Sequence, residues 1–200
     1  QEHPELRGRL SKGHDYDLKS NVLDRLPEVL LEQKPKDGRE YIKIYGITGK
    51  ARIFRWIRKD YVNEPKNLYR WKVFMPAANG SGALGEVVET SLIGEPIVGE
   101  LGVGSTETFI SVGCFETQAE AEACLKYVKT KFARAMLGIL KITAHVTPEK
   151  WTYVPLQDFT AGSDIDWGRT IAEIDQRLYQ KYGLSEEEVA FIESKVKEMA

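Results

Sequence analysis

Alternating apolar and polar residues in the first half of the chain predict β-strands. Residues 40–46, 51–59 and 69–75 alternate apolar side chains with polar or basic ones, the period-2 pattern of a half-buried strand. Residues 107–115 (ETFISVGCF) have the composition of a buried strand, and residues 150–159 (KWTYVPLQDF) predict a further one. Because successive side chains point to opposite faces of a strand, the bases of the first three segments are expected on one sheet face or edge.

A helical spacing of apolar residues follows in the second half. Over residues 118–140 apolar side chains recur every three or four positions, which predicts one long amphipathic helix. A second helix is predicted over residues 166–183 (DWGRTIAEIDQRLYQKYG), ended by Gly183, with Asp175 on its exposed side. Ser163 or Asp164 is expected to cap this helix.

The last helix has a clear start signal in the sequence. Ser185 and Glu188 have the spacing of a capping box, and the apolar stripe of Val189, Ile192 and Val196 follows. Together the elements predict an α/β or α+β fold: a mixed sheet with Gly-rich loops, one long central helix and two C-terminal helices.

The chain divides into three expected parts. Residues 1–39 form an N-terminal connector with a short helix broken near Pro27, residues 40–160 an α/β domain, and residues 161–200 a helical segment packed on it. Seven of the 17 glycines lie in the loop-rich residues 76–105. Such loops suit a mobile recognition element, because glycine tolerates unusual backbone dihedral angles, although plain connecting loops explain the composition equally well.

Charge is sorted along the chain although the net charge is only −2. Residues 40–74 hold nine Lys/Arg against three acids, residues 75–123 hold eight acids and no base, and residues 126–141 hold five bases and no acid. The first basic block is also rich in Tyr and Trp, which is typical of a surface that binds a polyanion. Solvated surfaces of mixed sign are the alternative, and the helix dipole alone accounts for acids before bases along residues 116–141.

Composition places the chain among ordinary soluble globular proteins, with 42% hydrophobic and 29% charged residues. Cys114 and Cys124 form no CxxC pair, which suits the reducing cytoplasm, and three scattered histidines make a metal site unexpected. No apolar run has the length of a membrane span. The chain begins at Gln1, so we expect it to be a fragment or a processed product.

Catalytic motifs are largely missing from the sequence. It has no GxGxxG, no GxxxxGK[ST] and no GxSxG pattern. Acid-x-Lys triplets begin at Asp17, Glu32 and Glu193, but none lies in a convincing apolar strand such as a nuclease site requires. Asp164 and Asp166 are close enough in sequence to bind a cation or to act in acid–base chemistry, although helix capping is the favoured role there.

Several blocks of the chain resemble a known family. The most specific are Tyr127-x-x-Thr130-Lys131-Phe132-x-Arg134, VPLQDF at residues 154–159 and SDIDW at residues 163–167. Over residues 40–197 the chain resembles the C-terminal region of bacterial restriction-modification adenine DNA methyltransferases, including type II enzymes that fuse a methylase to a nuclease. The resemblance implies a target-recognition region for double-stranded DNA.

The same resemblance implies where the chemistry lies. In that family a separate N-terminal domain binds S-adenosylmethionine, methylates adenine N6 and contains an Asn-Pro-Pro-aromatic tetrapeptide, which is missing here. We therefore expect no catalytic site and no cofactor in these 200 residues. The catalytic methyltransferase domain of the parent protein is an expected partner.

The residues expected to contact DNA are basic or lie in the Gly-rich loop. They comprise Lys43, Arg52, Arg55, Arg58, Lys59, Arg70, Lys72, Asn79, Ser81, Lys129, Lys131 and Arg134. Lys and Arg position a protein on phosphates, while Arg and Asn also read base edges. For Arg134, a structural ion pair with an acid of residues 76–123 is an equal alternative.

Two other function classes remain open from the sequence. In the first alternative, the chain is the endonuclease portion of such a restriction-modification system. Mg²⁺-dependent cleavage of DNA would reveal this activity. In the second alternative, the chain is a protein-interaction module whose basic blocks bind an acidic partner or the acidic segment of a second copy.

Overall fold

The computed structural model describes residue 6 and residues 15–79, 83–85, 89–141 and 143–199. In this part of the chain, five α-helices and two three-stranded sheets form an α+β fold. The strands are β1 (Tyr41–Thr48), β2 (Ala51–Arg58), β3 (Trp71–Pro76), β4 (Ile97–Gly99), β5 (Val103–Ser105) and β6 (Phe109–Phe115). The helices are α1 (Val22–Arg25), α2 (Gln118–Lys129), α3 (Lys131–Gly138), α4 (Ile171–Tyr182) and α5 (Glu186–Lys195).

The first sheet has the order β2-β1-β5. β1 and β2 form an antiparallel hairpin, whose turn contains Gly49 at φ +59°, and β5 pairs with β1 in parallel. A positive φ favours glycine, because a Cβ atom strains the backbone in that region. This sheet is mixed, as the sequence predicted.

The second sheet is a separate antiparallel unit with the order β4-β3-β6. The expected single sheet is therefore two sheets, which meet through stacked aromatic rings. The ring centre of Tyr45 in β1 lies 4.3 Å from that of Phe109 in β6 and 6.0 Å from that of Phe74 in β3.

Two larger apolar cores lie on either side of this aromatic contact. The smaller core combines Ile42, Ile44 and Ile57 of the hairpin with Tyr16, Val22, Leu23, Leu30 and Leu68. Residues 16–30, part of the expected connector, thus supply side chains to the core of the first sheet. The larger core joins β3 and β6 to α2, α3, α4 and α5.

The long helix expected over residues 118–140 is two helices that meet at Thr130. The ψ of Thr130 is 146°, which is not helical, and its side chain accepts a hydrogen bond from Ala133 N while donating to Tyr127 O. Threonine competes with helix geometry through such local bonds, so the break is built into the residue type. The apolar spacing runs across the break, which explains why the sequence indicated one helix.

The strand expected over residues 150–159 is absent. A 3-10 helix covers Pro148–Trp151 and turns follow, with Trp151 and Val154 fully buried. α4 ends at Gly183 (φ +64°) as predicted, and Ser185 and Glu188 form the predicted capping box. The N-cap of α4 is Thr170, however, so the expectation that Ser163 or Asp164 caps this helix was wrong.

Candidate nucleic-acid interface

One face of the β1–β2 hairpin brings cations and aromatic rings together. The register pairs Tyr41 with Arg58, Lys43 with Trp56, Tyr45 with Phe54, and Ile47 with Arg52. Because directly paired residues point to the same side of an antiparallel sheet, these eight side chains share one face. We call this face, with the adjoining Tyr61 and Tyr69, the hairpin face. Lys43 and Arg52 lie on it together, as the alternation of the sequence predicted.

Cations of this region lie over ring faces. The Arg58 guanidinium is 4.5 Å from the Tyr61 ring centre, and Lys59 Nζ is 5.3 Å from that of Tyr69. Lys43 Nζ lies 5.2 Å from the Trp56 ring centre. These distances fall within the range of cation–π attraction, so the rings hold the charges in place.

Three rings near these cations are open to solvent. Phe54 is 44% exposed, Tyr61 54% and Tyr69 48%. Exposed aromatic rings between cations offer flat apolar surface beside positive charge, a combination suited to bases and phosphates.

Lys43 and Arg52 differ from their neighbours because neither pairs with a carboxylate in the described part of the chain. Arg52 Nη1 donates instead to the backbone oxygen of Glu95 at 2.6 Å, and its guanidinium lies 5.8 Å from the Phe109 ring centre. A cation without a carboxylate keeps its full charge for an external anion.

Four other bases of the first block pair with nearby acids. Arg55 lies 3.3 Å from Glu32, Arg58 is hydrogen-bonded to Asp60, Lys59 approaches Glu40 at 3.3 Å and Glu64 at 3.5 Å, and Arg70 lies 2.6 Å from Glu116. The hydrogen bonds that Arg58 donates to Asp60 raise the pKa of Arg58, and hydrogen bonds to Tyr69 and Glu40 raise the pKa of Lys59. Exposed ion pairs are typically worth about 0–1 kcal/mol, so phosphate can replace these carboxylates at small cost.

Lys72 lies inside the protein rather than on a DNA-facing surface. It is 0% exposed, and its Nζ donates to the backbone oxygens of Asn67, Leu68, Arg70 and Glu100 at 2.9–3.0 Å. Burial lowers the pKa of this ammonium group to about 7. Contrary to the sequence expectation, Lys72 joins the loop before β3 to the turn after β4.

Arg134 is also buried, with 0% of its surface exposed. It donates to the backbone oxygens of Lys129, Thr130, Ser91 and Lys197, and burial lowers its pKa to about 10. The alternative of a structural role is correct, but the acceptors are carbonyl groups rather than an acid of residues 76–123.

The remaining bases of the second block are largely covered. Lys129 forms an ion pair with Glu95, and Lys131 Nζ lies 2.6 Å from Glu193 Oε2. Both side chains are less than a fifth exposed. They belong to the packing around α3 and not to the hairpin face.

The Gly-rich loop is described only in part. Asn79 N donates to Ala144 O at 2.7 Å, and its side chain donates to Ser91 Oγ at 3.3 Å. Ser81 lies outside the described residues. The structure therefore places Asn79 in a hydrogen-bonded loop.

Three aspartates of the C-terminal half that the sequence singled out have structural partners. Asp164 Oδ1 lies 2.8 Å from Lys181 Nζ, and Asp166 accepts from Gly168 N and Arg169. Asp175 was expected to be exposed but is buried, and its carboxylate accepts from Lys131 N and Phe132 N at the start of α3. Within the described residues no group of three or more His, Cys, Asp or Glu is arranged to hold a metal ion.

Sequence reasoning missed Lys34. Its Nζ lies 5.6 Å from the Trp56 ring centre, because a bridge between Leu31 and Trp56 brings this part of the chain alongside β2. No local signal in residues 31–34 indicates that pairing. The aromatic residues of the first basic block were the signal that did locate the surface.

No protein-family model matches the chain, and no curated protein matches it significantly. Among the described residues, no helix is both long and apolar enough to cross a membrane.

Proposed function

We propose that this chain binds double-stranded DNA through the hairpin face. The observation that carries the proposal is the placement of Lys43 and Arg52 on one face with the exposed ring of Phe54, while the exposed rings of Tyr61 and Tyr69 lie against Arg58 and Lys59. Cations supply salt-dependent affinity for phosphates, and rings supply contacts to bases and sugars. Arg58 and Lys59 extend the surface once phosphate replaces their carboxylate partners.

The biological setting follows from the resemblance. We propose that the chain is the target-recognition part of a restriction-modification adenine methyltransferase or fused restriction enzyme. Such an enzyme turns its target base out of the duplex, so a second surface must hold the remaining DNA in register. The hairpin face has the chemistry for that task, and S-adenosylmethionine and methyl transfer belong to the separate catalytic domain.

The test is fluorescence anisotropy of the chain with a mixed pool of labelled duplexes over a series of salt concentrations. The proposal predicts binding whose logarithmic affinity falls linearly with the logarithm of salt, with some duplexes retained at higher salt. Polyglutamate at matched charge is the control competitor, because it provides negative charge without bases. Failure to bind any duplex at low salt, or complete displacement by polyglutamate, would contradict the proposal.

A further inference from the structure

The outer edge of β2 is covered at one position. Leu31 N donates to Trp56 O and Trp56 N donates to Leu31 O, both at 2.8 Å. The backbone groups of Trp56 therefore point away from β1. Because hydrogen-bonding direction alternates along an antiparallel strand, those of Arg52 and Phe54 point the same way.

The part of this edge between Arg52 and Phe54 is not paired with another strand in the described structure. In the described structure the N–H and C=O groups of Arg52 and the N–H of Phe54 have no hydrogen-bond partner, and Phe54 O accepts only from Arg55 Nη1 at 3.1 Å. Ala51, Arg52 and Phe54 are exposed. Unpaired strand edges are templates for pairing with another extended chain.

The charge of the edge selects among possible occupants. Lys50, Arg52 and Arg55 lie within six residues of one another. Pairing of two copies along this edge would bring their cations together, and like charges on paired strands are destabilising. An acidic segment avoids that repulsion and gains attraction from Lys50 and Arg52, since Arg55 already pairs with Glu32.

We propose that residues 51–54 of β2 bind an extended acidic segment of a partner protein, which adds a strand to the first sheet and continues the pairing begun by Leu31. Main-chain hydrogen bonds to Arg52 and Phe54 hold the segment. Its carboxylates meet Lys50 and Arg52, and its alternating apolar side chains lie on the opposite face of the extended sheet. This inference does not depend on DNA binding.

Amide hydrogen exchange of the intact chain, measured by NMR, tests the backbone geometry. The probe is a short peptide that alternates glutamate with valine. Exchange at Arg52 and Phe54 is expected to slow when the peptide binds, while Ile53 and Arg55, whose N–H groups point toward β1, change little. Binding without this alternation, or no binding, would overturn the proposal.

Two control peptides and one variant separate strand addition from simple charge attraction. A peptide N-methylated at every second residue keeps its charge but loses one hydrogen-bonding edge, and a lysine-for-glutamate peptide reverses the charge. We expect both to lose binding, and Lys50→Glu in the protein to weaken the glutamate peptide. If the N-methylated peptide binds as well as the parent peptide, the edge is not the site.

Discussion

Lys43 and Trp56 lie opposite each other on β1 and β2, with the ammonium nitrogen 5.2 Å from the ring centre. Lys43 has no carboxylate partner in the described structure, so the ring is what holds this charge in place. A partly exposed cation fixed over a ring is available to a phosphate without breaking an ion pair.

Replacement of Lys43 should weaken DNA binding while changing the stability of the fold only slightly. Lys43→Ala is expected to lower the free energy of unfolding by no more than about 0.5–1 kcal/mol, the range for an exposed cation–π contact. DNA affinity should fall by several-fold because a phosphate contact is lost. Urea unfolding and duplex anisotropy on the same samples measure the two effects, and a large stability loss with unchanged affinity would contradict the assignment.

Lys72 should show the opposite behaviour. Lys72→Met fills similar volume but leaves four buried or partly buried backbone oxygens without their donor. Unsatisfied buried polar groups cost about 1–3 kcal/mol, so urea unfolding should show a loss of that order. Lys43→Met is the matched control and is expected to change stability far less.

The Lys72 comparison also has a clear negative outcome. Equal unfolding free energies for the two methionine variants would mean that Lys72 Nζ does not hold the loop before β3. Weaker duplex binding by Lys72→Met without a stability loss would indicate that Lys72 contacts DNA, as the sequence predicted.

Asp175 makes stability depend on pH in a defined direction. Burial raises its pKa to about 6, above the value near 4 of an exposed aspartate. The folded state therefore holds the proton to higher pH than the unfolded state does. The contribution of this carboxyl group to stability is full below about pH 4 and is lost as pH rises through about 6.

The measurement compares urea unfolding of the wild type and Asp175→Asn at several pH values. The free energy of unfolding of the wild type, relative to that of the variant, should be highest at acidic pH. This difference should shrink between about pH 4 and 6. The carboxyl carbon shift of Asp175 provides an independent titration. An advantage that grows with pH through this interval would contradict the raised pKa.

Local patterns in the sequence predicted much of the fold. The alternation along residues 40–46 and 51–59 indicates the two strands of the hairpin, and Ser185, Glu188 and Gly183 mark helix ends, because these signals act between near neighbours. The burial of Lys72 was not predictable, since its four acceptors belong to a loop and a turn that only the tertiary fold brings together. The cap of α3 by Asp175 was not predictable either, because Asp175 lies 43 residues from Phe132 and only the tertiary fold brings them together.

The candidate site was predictable in part. The aromatic residues among the bases of residues 40–74 located the hairpin face, and strand alternation placed Lys43 and Arg52 on it. The acids that pair with Arg55 and Arg70, Glu32 and Glu116, lie 23 and 46 residues away in the chain. A count of local charge therefore overstated how many cations are free.

The most direct test of the central claim compares duplex affinity for two charge-matched double variants. Lys43→Glu with Arg52→Glu reverses the two unpaired cations of the hairpin face, and Arg177→Glu with Lys197→Glu makes the same charge change at exposed positions elsewhere. The account predicts a loss of about tenfold or more for the first pair and little change for the second, because phosphate contacts are local. Equal losses, or no loss for the first pair, would contradict the placement of DNA on the hairpin face.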